Sequence, residues 1–530
     1  MSLEFATLTV KAVNLMKIPQ KKKDQNLLDY TGKISDNFRR CYSIDQRKEK
    51  GQFFTNKKVA AFMASLVDID SNELKVLDPG AGTGILSAAV CDRVIRESKN
   101  KLKLTIDCYE LDSYVIPCLK QVLSTCKDSL QEFGHEMDFN IYESNFVLEN
   151  ANYDKCVEKT KYDIVISNPP YYKLSKDSTE ALAVEHYKLN PPNIYSLFMF
   201  FAAKMLRKEG KMVFIVPRSF CSGLYYKKVR KWLVKNLHFE KIHLFESRKD
   251  IFDDNEVLQE NIIFKAIKKY PEELGTIVSS SYNKDFNNYT SIEARFSDIV
   301  FSNNGDSYIR IPTSERDLKI IRMVDKWEEY LKDLDLEIST GPVVDFRTKQ
   351  NLKTEIDNES VPLLWMHNLQ GFKVRWPSPK NGKEQAIKNS DETNSILVPI
   401  RNYVLLKRFT SKEQKHRLDP SIFLKEDFQR FDKIGFENHL NYIYKKVGEL
   451  SDFEAYGLAA ILKNTISDTY FRTLNGNTQV NASEIRNLPF PSITKIKEIG
   501  QKIKEQNAVN ESEINNIIRQ VLGVNEEIII

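Results

Sequence analysis

The stretch Lys75-Val76-Leu77-Asp78-Pro79-Gly80-Ala81-Gly82-Thr83-Gly84 decides the fold class. Its first four residues read as a buried strand and its last six as a glycine-rich turn. Residues 85–96 (ILSAAVCDRVIR) then carry the apolar spacing of a helix. A strand feeding a tight turn and then a helix is the opening of a βαβ unit. The same alternation runs outward from it. Strands are predicted at 104–110 (LTIDCYE), 139–145 (FNIYESN), 162–168 (YDIVISN) and 211–217 (KMVFIVP), with helices over 115–130, 194–208 and 224–235. Strands at 241–245 and 261–267 can be joined only by a loop, so the last is expected to be antiparallel. The expectation is an α/β fold with a seven-stranded, mostly parallel sheet covered by helices on both faces.

The remaining sequence bounds the possibilities. At 530 residues the chain has room for two to four domains. Lys and Arg exceed Asp and Glu by 78 to 73, a net charge of +5. That excludes a polycation and permits local basic faces. Cysteines stand at 41, 91, 108, 118, 126, 156 and 221, an odd number with no C-x-x-C, which argues against a disulfide framework or zinc ribbon and fits a reducing cytosol. The histidines show no metal spacing, so no metal is expected. Neither a membrane-spanning run nor a signal peptide is predicted. The sequence SSSYN (279–283) and SNNGDS (302–307) read as loops where the character changes. Expected domains are a basic extension over 1–49, a catalytic domain over 50–270 and a second domain over 300–530. In the last, short strands are predicted near 335–410, with helices near 412–416, 422–432, 437–447, 453–472 and 495–521.

Two motifs carry chemistry. The glycines of Asp78–Gly84 let the backbone approach a ligand and present a helix N-terminus to it. The plain alternative is an ordinary βα turn, and the spacing departs from the G-x-G-x-x-G of dinucleotide sites. Glu110, at the end of the next strand, can accept from both hydroxyls of a ribose. The second motif is Asn168-Pro169-Pro170-Tyr171 at the end of the fourth strand; a chance match in a chain this long is rarer than roughly one in a hundred. An exocyclic amine on a base is a poor nucleophile because its lone pair is delocalised. The Asn168 amide oxygen and the Pro169 carbonyl offer two fixed acceptors that favour pyramidalisation, with no strong base required. Tyr171 offers an aromatic face.

With these motifs the chain resembles the class I S-adenosylmethionine-dependent methyltransferases, and more narrowly the gamma-class adenine-specific DNA methyltransferases of restriction–modification systems. The resemblance covers nearly the whole chain. KGQFFTNKKVAAFMASLV (50–67) is similar to the family's N-terminal cofactor segment, which puts Phe54 and Thr55 near the methionine end. It implies that Asp78, Gly80, Ala81, Gly82, Glu110, Asn145 and Phe146 hold the cofactor. Asn145 departs from the family's usual Asp; its oxygen remains a neutral acceptor for the cofactor's adenine. FESRKDIFDDNEVLQENIIF (245–264) resembles the segment that supplies an aromatic residue to a flipped base, which points to Phe252. VPLLWMHNLQGFKVRWP (361–377), YVLLKRFTSKEQKHRL (403–418), ENHLNYIY (437–444) and YFRTLNGNTQVNASEIRNLPFP (470–491) resemble the target-recognition region of the PstI/BsuBI branch.

What the resemblance implies is a Rossmann-like catalytic domain followed by an α+β recognition domain, acting as a monomer on duplex DNA held between them. The reaction would be methyl transfer from S-adenosylmethionine to the 6-amino group of a flipped adenine, with Asn168, Pro169, Tyr171 and Phe252 catalytic and Arg408 and Lys412 on DNA. It implies a cytoplasmic bacterial or archaeal protein whose cognate endonuclease is encoded separately, since no P-D…(D/E)-x-K nuclease pattern occurs. Two other readings stand beside it: methylation of an RNA base or a protein glutamine, and a non-catalytic DNA-binding subunit. The charge is uneven. Residues 1–50, 221–250 and 401–417 hold 11, 8 and 6 basic residues against 6, 3 and 1 acidic ones. The second and third stretches are expected to face DNA.

Overall fold

The computed structural model describes residues 18–40, 51, 53–156, 159–247, 260–270, 274–303, 305–378, 382–507 and 510–524. Phe252 and most of the basic extension lie outside the described residues. The chain forms two compact units, Met1–Thr313 and Ser314–Ile530.

The first unit opens with α1 (Leu27–Arg40) and α2 (Lys57–Ser65), followed by β1 (Glu73–Pro79), α3 (Ile85–Glu97), β2 (Lys103–Tyr109), α4 (Ile116–Glu132) and β3 (Glu136–Tyr142). Next come α5 (Phe146–Glu149), β4 (Tyr162–Ser167), α6 (Thr179–Ala183), α7 (Ile194–Met205), β5 (Leu206–Pro217) and α8 (Lys227–Asn236). The unit continues with β6 (His238–Phe245), β7 (Asn261–Ile267), β8 (Gly275–Ser281) and β9 (Thr290–Arg295). The strands make one sheet in the order β3-β2-β1-β4-β5-β7-β6-β8-β9. β1 to β5 pair in parallel, and β7 lies antiparallel between β5 and β6. Burial follows from that arrangement: Val76, Leu77 and Asp78 of β1 are fully covered, as a strand flanked on both faces must be. Every residue of α7 except Lys204 is buried, which explains a helix apolar on all sides. Asn193 caps it by accepting from the Tyr195 N–H.

The seven expected strands are present, and two more extend the sheet past its predicted edge. β8 pairs parallel to β6, and β9 antiparallel to β8. The serine run read as a loop is the buried end of β8. Ser279 and Ser281 hydroxyls lie 2.9 and 3.0 Å from the two ring nitrogens of His243, so their polarity is satisfied inside the core. Likewise 302–307 closes a hairpin of Val300–Asn303 with Asp306–Ile309.

The second unit contains a six-stranded and a five-stranded sheet with helices Asp452–Lys463, Thr465–Leu474, Ile493–Gln506 and Glu511–Leu522. Three predicted helices are absent. Residues 437–447 form the strand Leu440–Lys445, paired on both sides by Leu336–Thr340 and Tyr403–Lys407. Residues 422–432 hold the end of the strand Pro420–Phe423 and a 3-10 turn, and 412–416 is a turn. The predicted helix over 453–472 is two helices, because Asn464 breaks the first and caps the second through the Ile466 N–H. Gly457 and Gly500 let two helices touch: a Cβ on either would stand 1.9 Å from a carbonyl oxygen of the other helix. No helix among the described residues is long and apolar enough to cross a membrane.

Candidate active site

The strand order reverses between β1 and β4, so the chain leaves their carboxyl ends in opposite directions and opens a crevice there. Both motifs stand at those ends. A cavity of about 520 Å³ occupies the crevice, with Gly80, Gly82, Glu110, Phe146, Asn168 and Phe198 among its walls.

Backbone groups hold the glycine loop. The Gly80 and Ala81 N–H groups both donate to the Tyr109 carbonyl at 2.9 Å, tying the turn to the end of β2. Gly80 has φ +74°, and a Cβ there would meet the Phe198 ring at 3.4 Å. Gly82 has φ +56° and open space beside it, so the loop presents bare backbone to the cavity. Its N–H donates to Glu110 Oε2 at 2.8 Å, while Oε1 accepts from the Leu111 and Asp112 N–H groups at 2.8 and 2.9 Å. Burial raises the Glu110 pKa from its ordinary value, opposed by these backbone donors. Asp78 lies behind the loop, fully buried; Ser87 donates to its Oδ2 at 2.7 Å, and its Oδ1 has no protein partner. Burial pushes this carboxyl up to about 7.

The far wall is aromatic. Phe146 is buried, edge-on to Tyr109 at 5.1 Å and tilted against Phe198 at 5.0 Å. Asn145 caps α5: its Oδ1 accepts from the Val147 and Leu148 N–H groups at 3.0 and 3.2 Å. Its Nδ2 donates to Glu180 Oε1 at 2.9 Å.

Asn168 projects from the end of β4 into the cavity wall, and its amide is fixed on three sides. Nδ2 donates to the Phe53 carbonyl at 2.8 Å and to Thr55 Oγ1 at 3.0 Å. Oδ1 accepts from the Tyr171 hydroxyl at 2.6 Å, and the Ile215 carbonyl, 2.8 Å from that hydroxyl, shares its single hydrogen. Donors and acceptors therefore settle which amide atom is oxygen. Oδ1 keeps one lone pair for another donor. Burial holds the Tyr171 phenol well above its ordinary pKa, so it remains a proton donor. The Tyr171 ring stacks on Phe53 at 5.5 Å and meets Tyr195 edge-on at 6.0 Å. Tyr171 is absent from the cavity's lining, whereas its neighbour Tyr172 is part of it. Gly51 completes the docking: its carbonyl accepts from the Tyr171 N–H at 3.1 Å.

Thus Phe54, Gly80, Gly82, Glu110, Asn145, Phe146, Asn168 and Pro169 share one cavity wall. Ala81 is in the loop behind it. Thr55 is buried against Asn168 and, with Phe54, also borders a second cavity of about 710 Å³ beside α1. Phe53, Tyr172, Glu180 and Phe198 went unread in the sequence. Phe53 and Tyr172 each adjoin a residue that a motif singled out, whereas Glu180 carried no signal at all.

In the second unit, Arg408 is half-buried and donates to the Asn438 carbonyl at 3.1 Å. The backbone carbonyl of half-buried Lys412 accepts from Arg472 at 2.9 Å. Much of the neighbouring positive charge is spent internally. Lys407 pairs with Asp419 at 2.7 Å and Lys415 with Glu511 at 2.5 Å. Arg417 is 1% exposed, its guanidinium bound to Thr410, Asn475 and Asn477. Arg230, in the other basic stretch, is buried on Asp306. The residues around the first cavity fit S-adenosylmethionine: an exposed glycine backbone, a carboxylate at a ribose position and an aromatic wall for a purine. Among the described residues no group of His, Cys, Asp and Glu could hold a metal ion.

Comparison with known proteins gives the family. Residues 96–252 match the family described as Eco57I restriction-modification methylase. Type II methyltransferase M.PstI of Providencia stuartii is 36% identical over 480 residues, covering 90% of this chain and 93% of that one. Type II methyltransferase M.BsuBI of Bacillus subtilis is 34% identical over 488 residues, covering 90% and 95%. Among solved structures, the type IIG restriction endonuclease BpuSI is 13% identical with a TM-score of 0.42, covering 95% of this chain and 68% of that one, a likeness too slight to weigh. With relatives that similar over nearly their whole length, the chain belongs to the type II methyltransferases of the PstI/BsuBI branch.

Proposed function

We propose that the chain methylates the 6-amino group of adenine in duplex DNA, as the modification half of a restriction–modification system. The observation that carries this reading is the Asn168 amide, pinned by Phe53, Thr55 and Tyr171 with one oxygen lone pair left over. S-adenosylmethionine, when bound, supplies a methyl group activated on a sulfonium. Glu110 accepts from one ribose hydroxyl through Oε2, whose second lone pair the backbone leaves free, and Gly80 and Gly82 let the cofactor lie against bare backbone. Asn168 Oδ1 and the Pro169 carbonyl each accept one hydrogen of the target amine, drawing its lone pair out of conjugation. With the cofactor bound, the amine nitrogen would take the methyl group as the sulfur–carbon bond broke, and its surplus proton would go to solvent. No side chain has to act as a base.

The target must leave the base stack to reach Asn168, at a cost of about a few kcal/mol. Tyr171 orients the amide, and Phe252 holds the flipped ring. Arg408 and Lys412 contact DNA from the recognition unit, and the enzyme works as a monomer with its endonuclease encoded separately. The test is single-molecule sequencing of DNA from a host expressing the chain. The expected result is N6-methyladenine at one short palindrome; modified cytosine, or no modification, contradicts the proposal.

A further inference from the structure

Asn145 is where the cavity departs from its expected chemistry. A purine bound against the aromatic wall of Phe146 and Phe198 carries an exocyclic amine that needs an acceptor. Asn145 borders that end of the cavity, but its oxygen already accepts two backbone N–H groups of α5, and its remaining atom is a donor. An Asp in the same place would cap the helix with one oxygen and offer the other. Here that second position turns to a carboxylate brought from elsewhere. Glu180 Oε1 accepts from Asn145 Nδ2 at 2.9 Å, and the hydroxyl of Tyr172, another wall residue, lies 3.5 Å from the same oxygen. Glu180 stands in the first turn of α6, which Ser178 caps by accepting from the Ala181 N–H. The carboxylate and Tyr172 act on each other: burial and the Glu180 charge push the Tyr172 phenol up to about 12, so it stays a donor.

We propose that Glu180, held by Asn145 and Tyr172, is the carboxylate that accepts from the 6-amino group of the cofactor's adenine. Asn145 and Glu180 together do the work of one aspartate: Asn145 caps the helix and aims the carboxylate, and Glu180 supplies the charge. This rests on reading the cavity as an S-adenosylmethionine site. A charge-assisted hydrogen bond of this kind separates a 6-amino from a 6-oxo purine, because the 6-oxo group turns an acceptor toward the carboxylate.

The experiment is calorimetric titration of the full chain with S-adenosylhomocysteine and with its inosine counterpart, in which oxygen replaces the 6-amino group. Wild type should prefer the amino compound by about tenfold or more. Glu180→Ala should weaken the amino compound and bind the 6-oxo compound at least as well as wild type does, so that the ratio falls to about one. Asn145→Asp added to Glu180→Ala should restore the preference by returning the acceptor to the wall. An unchanged ratio in Glu180→Ala overturns the proposal, and so does an equal loss for both compounds, which marks a structural role. Binding of neither compound by wild type overturns the cofactor reading itself.

Discussion

The two sides of the cavity are built differently. The cofactor side is assembled from backbone groups of two neighbouring strand ends: the turn at 80–82 rests on Tyr109, and Glu110 is held by Gly82, Leu111 and Asp112. The catalytic side depends on contacts across more than a hundred residues, with Phe53 and Thr55 fixing the Asn168 amide. A surface made of backbone tolerates side-chain change around it. An amide oriented by three partners depends on each, so binding and turnover should separate under mutation.

The sharpest break is Asn168→Ala. It should lower transfer by about a thousandfold while leaving cofactor affinity within about twofold, read by single-turnover kinetics and calorimetry. Equal losses in both would erase the distinction between the sides. Glu110→Ala should do the reverse, weakening S-adenosylmethionine by about tenfold or more with a smaller effect on transfer at saturation. Thr55→Val keeps shape and removes one acceptor from the Asn168 amide. It should cost about tenfold in kcat at unchanged cofactor affinity; an unaltered kcat would assign the pinning to the Phe53 carbonyl alone.

Asp78 gives the smallest and most specific effect. Its folded pKa of about 7 stands above the ordinary 3.8, so the folded chain holds a proton that the unfolded chain releases. That contribution to stability is fully present below pH 3.8 and is lost as pH rises through 7. Asp78→Asn is neutral throughout, so its gain in Tm over wild type without cofactor should grow from pH 4 to pH 8. A gain independent of pH would show that Asp78 is not the titrating group.

What was legible in the sequence follows the same division. The loop of β1 and the tetrapeptide after β4 are contiguous, and parallel strands buried on both faces announce themselves as apolar runs such as Val76–Leu77 and Ile164–Ile166. Polar residues satisfied at a distance mislead. Ser279–Ser281 read as a loop because nothing nearby shows that His243 waits opposite. Leu440–Lys445 read as a helix, although its aromatic residues Tyr442 and Tyr444 alternate along a strand between two others. Arg417 added to a basic stretch meant for DNA, yet its charge is committed to Thr410 and two asparagines. Glu180 lies in a loop helix whose relation to Asn145 only the fold creates.

The central claim is that the pinned Asn168 amide serves an adenine amine. Its most direct test is nucleoside analysis by mass spectrometry of duplex DNA treated with the purified chain and methyl-labelled S-adenosylmethionine. The account predicts label in N6-methyldeoxyadenosine and nowhere else; label in a methylated cytosine, or none in DNA, would contradict it.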